Sequence, residues 1–160
     1  MIDEAEGYLE LNLPGHALRI IQRKQHAVAQ SCYLRYLRAR AHQRCGNHQK
    51  AIADLKIIAE RCPENPRPLI VLGSCYKRVG KIWGTLRALH EAVLLESQSA
   101  LIQYNIARYW SLVRCKPQSL RYLKNAIDID VTLRKCLRQD DDFAFLQSDP
   151  VFLAMASEAV

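Results

Sequence analysis

The chain has 160 residues, 49% of them hydrophobic and 24% charged, with only 6 Gly and 6 Pro; that is enough apolar material for a core and too few breakers for a disordered or all-β chain. It contains no run of about 18 apolar residues, and its acidic start Met1-Ile2-Asp3-Glu4-Ala5-Glu6 lacks the basic and apolar regions of a secretory signal, so a cytoplasmic chain without membrane insertion is expected. The net charge of +7 favours acidic partners but falls short of the density of a dedicated nucleic-acid-binding tail.

Apolar residues recur at steps of three and four along most of the chain, as in Ala51, Ile52, Leu55, Ile58 and again in Leu86, Leu89, Ala92, the spacing of helices with one buried face. In chain order this spacing predicts helices over 2–12, 15–27, 31–45, 48–61, 67–79, 82–95, 99–113 and 117–129. Pro63 and Pro66 separate the fourth from the fifth, since proline is excluded from a helix interior and suits a first turn. Beyond residue 130 the pattern changes to Asp140-Asp141-Asp142, Phe143 to Leu146, and Ser148-Asp149-Pro150-Val151-Phe152-Leu153. Ser148 is the expected N-cap of a last helix that Asp149 and Pro150 begin, with Phe143, Leu146, Phe152 and Leu153 closing the core. The three aspartates lack the Gly and distal Glu of a calcium loop and are read as solvated capping residues.

A step of 34 residues organises these helices. It relates Gly46 to Gly80, each at a helix break; Tyr8 to His42, Tyr76 and Trp110, all ring-bearing; Ala5 to Ala39, Gly73 and Ala107, all small; and Ile21 to Leu55, Leu89 and Leu123, all aliphatic. The segment from Leu69 to Gly80 carries Leu72-Gly73 and Tyr76 ahead of its turn glycine, and it resembles the signature of the tetratricopeptide repeat. Other units depart from it: Arg38 replaces a leucine, His42 a tyrosine, Asn12 and Arg114 the turn glycine, and Ser119 an alanine. The closing run resembles the end of many bacterial and plastid arrays of this family. The resemblance implies an all-α, right-handed superhelix of about four helix-turn-helix units (about 1–31, 32–65, 66–99 and 100–130) followed by a C-terminal capping helix within 131–160, as an end unit needs a polar outer face.

The six cysteines, at 32, 45, 62, 75, 115 and 136, include no Cys-x-x-Cys pair, and in a helical chain without an export signal they are expected to be reduced and buried. His42, Cys45 and His48 approach a zinc set but straddle a turn and lack a fourth ligand. No nucleophile–base pair or glycine-rich phosphate loop appears. His16 and His48 fall in turns, His26 and His90 on second helices, and Trp110 in the aromatic packing register. Trp83 has no register and is expected on the surface. No enzyme, cofactor or metal is implied.

Basic charge concentrates in the middle: residues 61–126 carry 11 basic and 3 acidic side chains, residues 127–160 carry 3 and 7. In the resembled fold the first helices of each unit line the concave face. There the spacing places Tyr33, Tyr36, Arg40 and Arg44 on one helix face, with Arg67, Ser74, Lys77 and Arg78 one period on, and Tyr104, Asn105 and Arg108 another. This is a basic, tyrosine-lined groove of side chains common in binding hot spots. It implies a non-enzymatic adaptor that takes an acidic or partly apolar peptide segment of a protein partner; the alternatives are the substrate-recruitment part of a larger enzyme and a secretion or assembly chaperone. A carboxylate clamp for chaperone tails needs Lys and Asn where this chain has Tyr36, Arg40, Val71, Leu101 and Asn105, of which only Arg40 and Asn105 fit. Single-stranded RNA suits aromatic and basic side chains, but the modest charge and acidic end disfavour it.

Overall fold

Helices joined by short turns run through the chain, and the computed structural model describes residues 2–157 apart from the side chain of Gln25. In order they are α1 (Ile2–Glu10), α2 (Pro14–Gln22), α3 (Gln25–Gln30), α4 (Cys32–Arg44), α5 (His48–Arg61), α6 (Pro66–Arg78), α7 (Ile82–Leu95), α8 (Ala100–Leu112) and α9 (Lys116–Ile129). Two short helices, α10 (Arg134–Leu137) and α11 (Pro150–Ala156), and two 3₁₀ turns, Val131–Leu133 and Asp141–Leu146, follow. No strand occurs among the described residues.

The period of 34 is written into the backbone. Asn12, Gly46, Gly80 and Arg114 all have left-handed φ, at 56°, 76°, 75° and 58°. That conformation is open to glycine and tolerated by asparagine but costs an arginine energy. Between paired helices, Ala5 and Ala17, and Ala39 and Ala51, are all fully buried, and small side chains there let helix backbones approach. One and two periods on, the alanine of the second helix becomes Thr85 and Ser119. Each is fully buried, with its hydroxyl donating to the partner helix's small residue: Thr85 Oγ1 to Gly73 O at 2.9 Å and Ser119 Oγ to Ala107 O at 2.8 Å. The hydroxyl is thus satisfied without enlarging the contact.

The chain divides into two compact units, Met1–Ala88 and Leu89–Val160, with the division inside α7. In the first unit, Ala5, Leu9, Ala17, Ile21, Val28, Leu34, Leu37 and Ala41 form one buried cluster. The helix expected over 15–27 ends earlier, at Gln22: the amides of Arg23 and Lys24 bond three residues back, to Ile20 and Ile21, and α3 restarts with Val28 N to Lys24 O. Without Gly or Pro at 23–24 the sequence does not mark this break, yet Val28 beyond it is 1% exposed. His16 lies inside α2, stacked on Tyr8 at 5.2 Å between ring centroids, and His48 is the first residue of α5; neither occupies a turn.

Arg38, at a position the repeat signature gives to leucine, is held by Asp54. Its Nε lies 2.8 Å from Oδ2 and its Nη2 2.5 Å from Oδ1, while Arg35 Nη1 reaches Oδ1 at 3.1 Å. Arg35 and Asp54 are both buried, so one carboxylate compensates two guanidinium groups largely withdrawn from water. Its hydrogen bonds are the main reason the Arg38 guanidinium holds its proton more firmly than usual.

In the second unit α8 and α9 pack together, and the closing segment packs back onto them. A single capping helix is not what forms: the segment winds through 3₁₀ and short α turns, burying Leu137, Phe143, Leu146 and Phe152. Leu153 stays exposed. Phe143 sits between Tyr104 and Phe152, each 5.5 Å away between centroids. Asp149, not Ser148, caps α11, accepting from Val151 N at 2.9 Å and Phe152 N at 3.1 Å, because Pro150 at the first helical position makes the preceding residue the cap. An ion pair with Lys116 is the first cause holding the Asp149 carboxyl below its ordinary range.

Candidate functional site

The eleven groove residues expected from sequence fall on both units. On α4, Ser31 caps the helix, its Oγ accepting from Leu34 N at 3.2 Å, and the following turns present Tyr33, Tyr36, Arg40 and Arg44 in succession. Tyr33 is 44% exposed, and its hydroxyl donates to Glu6. Arg44 donates to the carbonyl of Leu9, so α1 engages both ends of this row. Tyr36 and Arg40 are half-buried.

On α6 the N-cap Asn65 accepts from Arg67 N at 3.0 Å, which leaves the Arg67 side chain exposed at the first turn. Ser74 accepts from Gln43 Nε2 at 2.5 Å and donates to Val71 O at 3.1 Å, so it ties α6 to α4. Lys77 is half-buried and Arg78 exposed. Among the described residues no carboxylate pairs with Arg40, Arg67 or Arg78.

Tyr33, Tyr36 and Arg67 border one cavity of about 200 Å³, whose apolar wall is Ile58 and Pro68. Cys32, Cys62 and Asn65 complete it. Two phenol rings, an apolar wall and an unpaired guanidinium suit a segment with both a hydrophobic side chain and a carboxylate. Sequence spacing did not point to the two cysteines. Their meeting follows from the helical hairpin, since Cys32 lies fourteen residues before Gly46 and Cys62 sixteen after it. The expectation of buried thiols holds only for Cys75, which burial pushes up to about 11; Cys32, Cys62 and Cys115 are half-exposed, and Cys45 and Cys136 exposed.

In the second unit the expected residues are already occupied by the chain itself. Tyr104 is only 8% exposed, and its hydroxyl donates to Asp140 Oδ2 at 2.9 Å. Arg108 Nε lies 3.1 Å from Asp140 Oδ2, and Nη2 lies 2.5 Å from Asp142 Oδ2. Arg108 Nη1 also donates to Asn105 Oδ1 at 3.3 Å. Asp140, which caps the 3₁₀ turn by accepting from Asp142 N, and Asp142 are therefore half-buried partners of α8 rather than solvated; of the three, Asp141 alone is exposed. Burial, followed by the bond to Asp140, raises the Tyr104 phenol well above its ordinary value.

Two further sequence features find places. Trp83 is 69% exposed and lines a hollow with Tyr76, Lys56, Lys81 and Arg87. Gly84 packs tightly beside it, as a Cβ there would stand 3.1 Å from Tyr76 Cδ2. His90 is half-buried, edge-on to Trp110 at 6.3 Å and to Tyr122 at 5.5 Å; burial is the first cause, and Arg121 the second, of its depressed basicity. His42, Cys45 and His48 do not form a metal site: no group of three metal-ligating side chains occurs among the described residues. No described helix is long and apolar enough to cross a membrane.

No protein-family model matches the sequence, and no curated protein matches it. Solved structures do match the fold. The crystal structure of TTC0263, a thermophilic TPR protein of Thermus thermophilus, has a TM-score of 0.77 at 17% identity, over 96% of this chain and 85% of that one. The crystal structure of MamA gives 0.76 at 16%, over 84% and 78%. That of YrrB, described as a TPR protein with an unusual peptide-binding site, gives 0.75 at 14%, over 96% and 80%.

Proposed function

We propose that this chain, whose fold is that of the tetratricopeptide-repeat proteins, is a non-enzymatic interaction module that binds an acidic, partly apolar peptide segment through its first unit. The observation that carries the reading is the cavity bordered by Tyr33, Tyr36 and Arg67, in which no carboxylate among the described residues pairs with the guanidinium. Arg40 and Arg78 extend the unpaired basic charge along α4 and α6. A charge-assisted bond from a ligand carboxylate to an unpartnered arginine displaces no internal ion pair, so little of the attraction is lost to rearrangement. Arg108, by contrast, is held by Asp140 and Asp142, and a ligand at that place competes with the chain's own acid. The likeness to YrrB, itself described as having a peptide-binding site, supports a peptide as the ligand class.

The test is a synthetic peptide array graded in net charge and aromatic or aliphatic content, probed with the full chain. Acidic peptides carrying one large apolar residue are expected to retain it best, and Arg40→Glu with Arg67→Glu to reverse the charge preference. Equal retention of basic and acidic peptides by the unaltered chain overturns the reading.

A further inference from the structure

We propose that Cys32 and Cys62 form a redox-reactive pair that closes into a reversible disulfide, tying the start of α4 to the end of α5 at the rim of the tyrosine-lined cavity. The two sulfurs lie 2.8 Å apart, with the Cys62 thiol donating to the Cys32 sulfur. An S–S bond is about 2.05 Å long, so the two sulfurs already stand close to bonding distance. Cys32 is the first residue of α4 and Cys62 the C-cap of α5. Both positions are half-exposed, within reach of a dissolved oxidant, whereas Cys75 is fully buried.

The bond to Cys32 is the first cause of the Cys62 thiol's raised affinity for its proton; either sulfur can open the oxidant, and the two orders give the same product. With a low-molecular-weight disulfide as oxidant and Cys32 attacking first, Cys32 gives its proton to water and bonds to one sulfur of the oxidant, whose S–S bond breaks and releases a thiolate. Cys62 then gives up its proton and attacks the Cys32 sulfur; the mixed disulfide breaks and the second thiolate leaves. Two protein thiols lose two electrons, and the oxidant, taking the two electrons and two protons, becomes two thiols. The cross-link joins residues 30 apart in sequence and restricts the unfolded chain, which raises the thermal midpoint by on the order of 10 °C. This inference needs no peptide ligand and stands apart from the binding reading.

The fully reduced chain, incubated with oxidised glutathione, trapped with N-ethylmaleimide and digested, is expected to yield a Cys32–Cys62 linked peptide that has lost two hydrogens and carries no glutathione. A phosphine reductant should return both cysteines to the maleimide-reactive form. The main product being maleimide on both cysteines, or glutathione retained on either, overturns the proposal. Cys32→Ser and Cys62→Ser, checked for unchanged helicity, are each expected to abolish the oxidant-dependent rise in thermal midpoint and to accumulate a glutathione adduct on the remaining cysteine. A rise that persists in either variant also overturns it.

Discussion

Arg108 of α8 holds Asp140 of the closing segment, Nε to Oδ2 at 3.1 Å, so a side chain placed by sequence in a ligand groove secures the end of its own fold. Asp140 also accepts from the Tyr104 hydroxyl and caps the 3₁₀ turn at Asp142 N. Asp140→Ala removes an ion pair, a part-buried hydrogen bond and a cap together, and is expected to cost about 2 kcal/mol. Hydrogen exchange at residues 141–146 should rise in that variant, while Asp141→Ala, at an exposed position, changes stability by less than about 0.5 kcal/mol.

Asp54 serves two arginines. Asp54→Ala leaves Arg35, 8% exposed, without its counter-charge, and is expected to cost about 3–5 kcal/mol in denaturant unfolding. Replacing the whole set by apolar residues, Asp54→Leu with Arg35→Met and Arg38→Leu, is expected to restore stability to within about 1 kcal/mol of the starting protein or above it.

Arg114 adopts φ 58° at the position where glycine stands in the second and third repeats. Arg114→Gly relieves a conformational cost of about 1–2 kcal/mol and gives up the approach of its guanidinium to the Phe145 ring, at 5.8 Å from the centroid, worth about 0.5–1 kcal/mol at an exposed site. The thermal midpoint should therefore rise. Asn12→Gly should gain less, because asparagine tolerates this conformation.

His42 is 8% exposed, and its Nδ1 has no hydrogen-bond partner. Burial is the first cause holding its pKa below the ordinary value, with Lys50 and Arg38 adding to it against the pull of Asp54. A depressed folded-state pKa means that the unfolded chain binds the proton more readily. The contribution is therefore present above the unfolded pKa of about 6.5 and is lost as the pH falls below it. Urea unfolding of His42→Phe is expected to lose less stability between pH 7.5 and 5.5 than the unaltered chain does.

The period of 34 carried much of the fold, because the same backbone requirement recurs at fixed intervals. It led to Gly46 and Gly80, and through their departures to Asn12 and Arg114, all four of which take the left-handed turn. Most helix boundaries were legible within one or two residues, since turn residues and prolines mark them. The break at Arg23 and Lys24 was not, because no local signal distinguishes those residues from helix formers. Nor was the pairing of Arg35 and Arg38 with Asp54, since charges on a helix read alike whether they face water or a carboxylate nineteen or sixteen residues away. Of the candidate site, only residues that border one cavity were legible. Spacing put Tyr33, Tyr36 and Arg67 beside one another, but a sum of charge along the chain did not reveal that Asp140 and Asp142 return to cover Arg108.

Calorimetric titration of the full chain with the best-retained acidic peptide, at low and moderate salt, tests the central claim most directly. Binding through the unpaired arginines of the first unit predicts that affinity falls as salt rises, and that Arg40→Glu with Arg67→Glu weakens it at least about tenfold, or about 1.4 kcal/mol, while flattening the salt dependence. Affinity and salt dependence unchanged by that double reversal would contradict it.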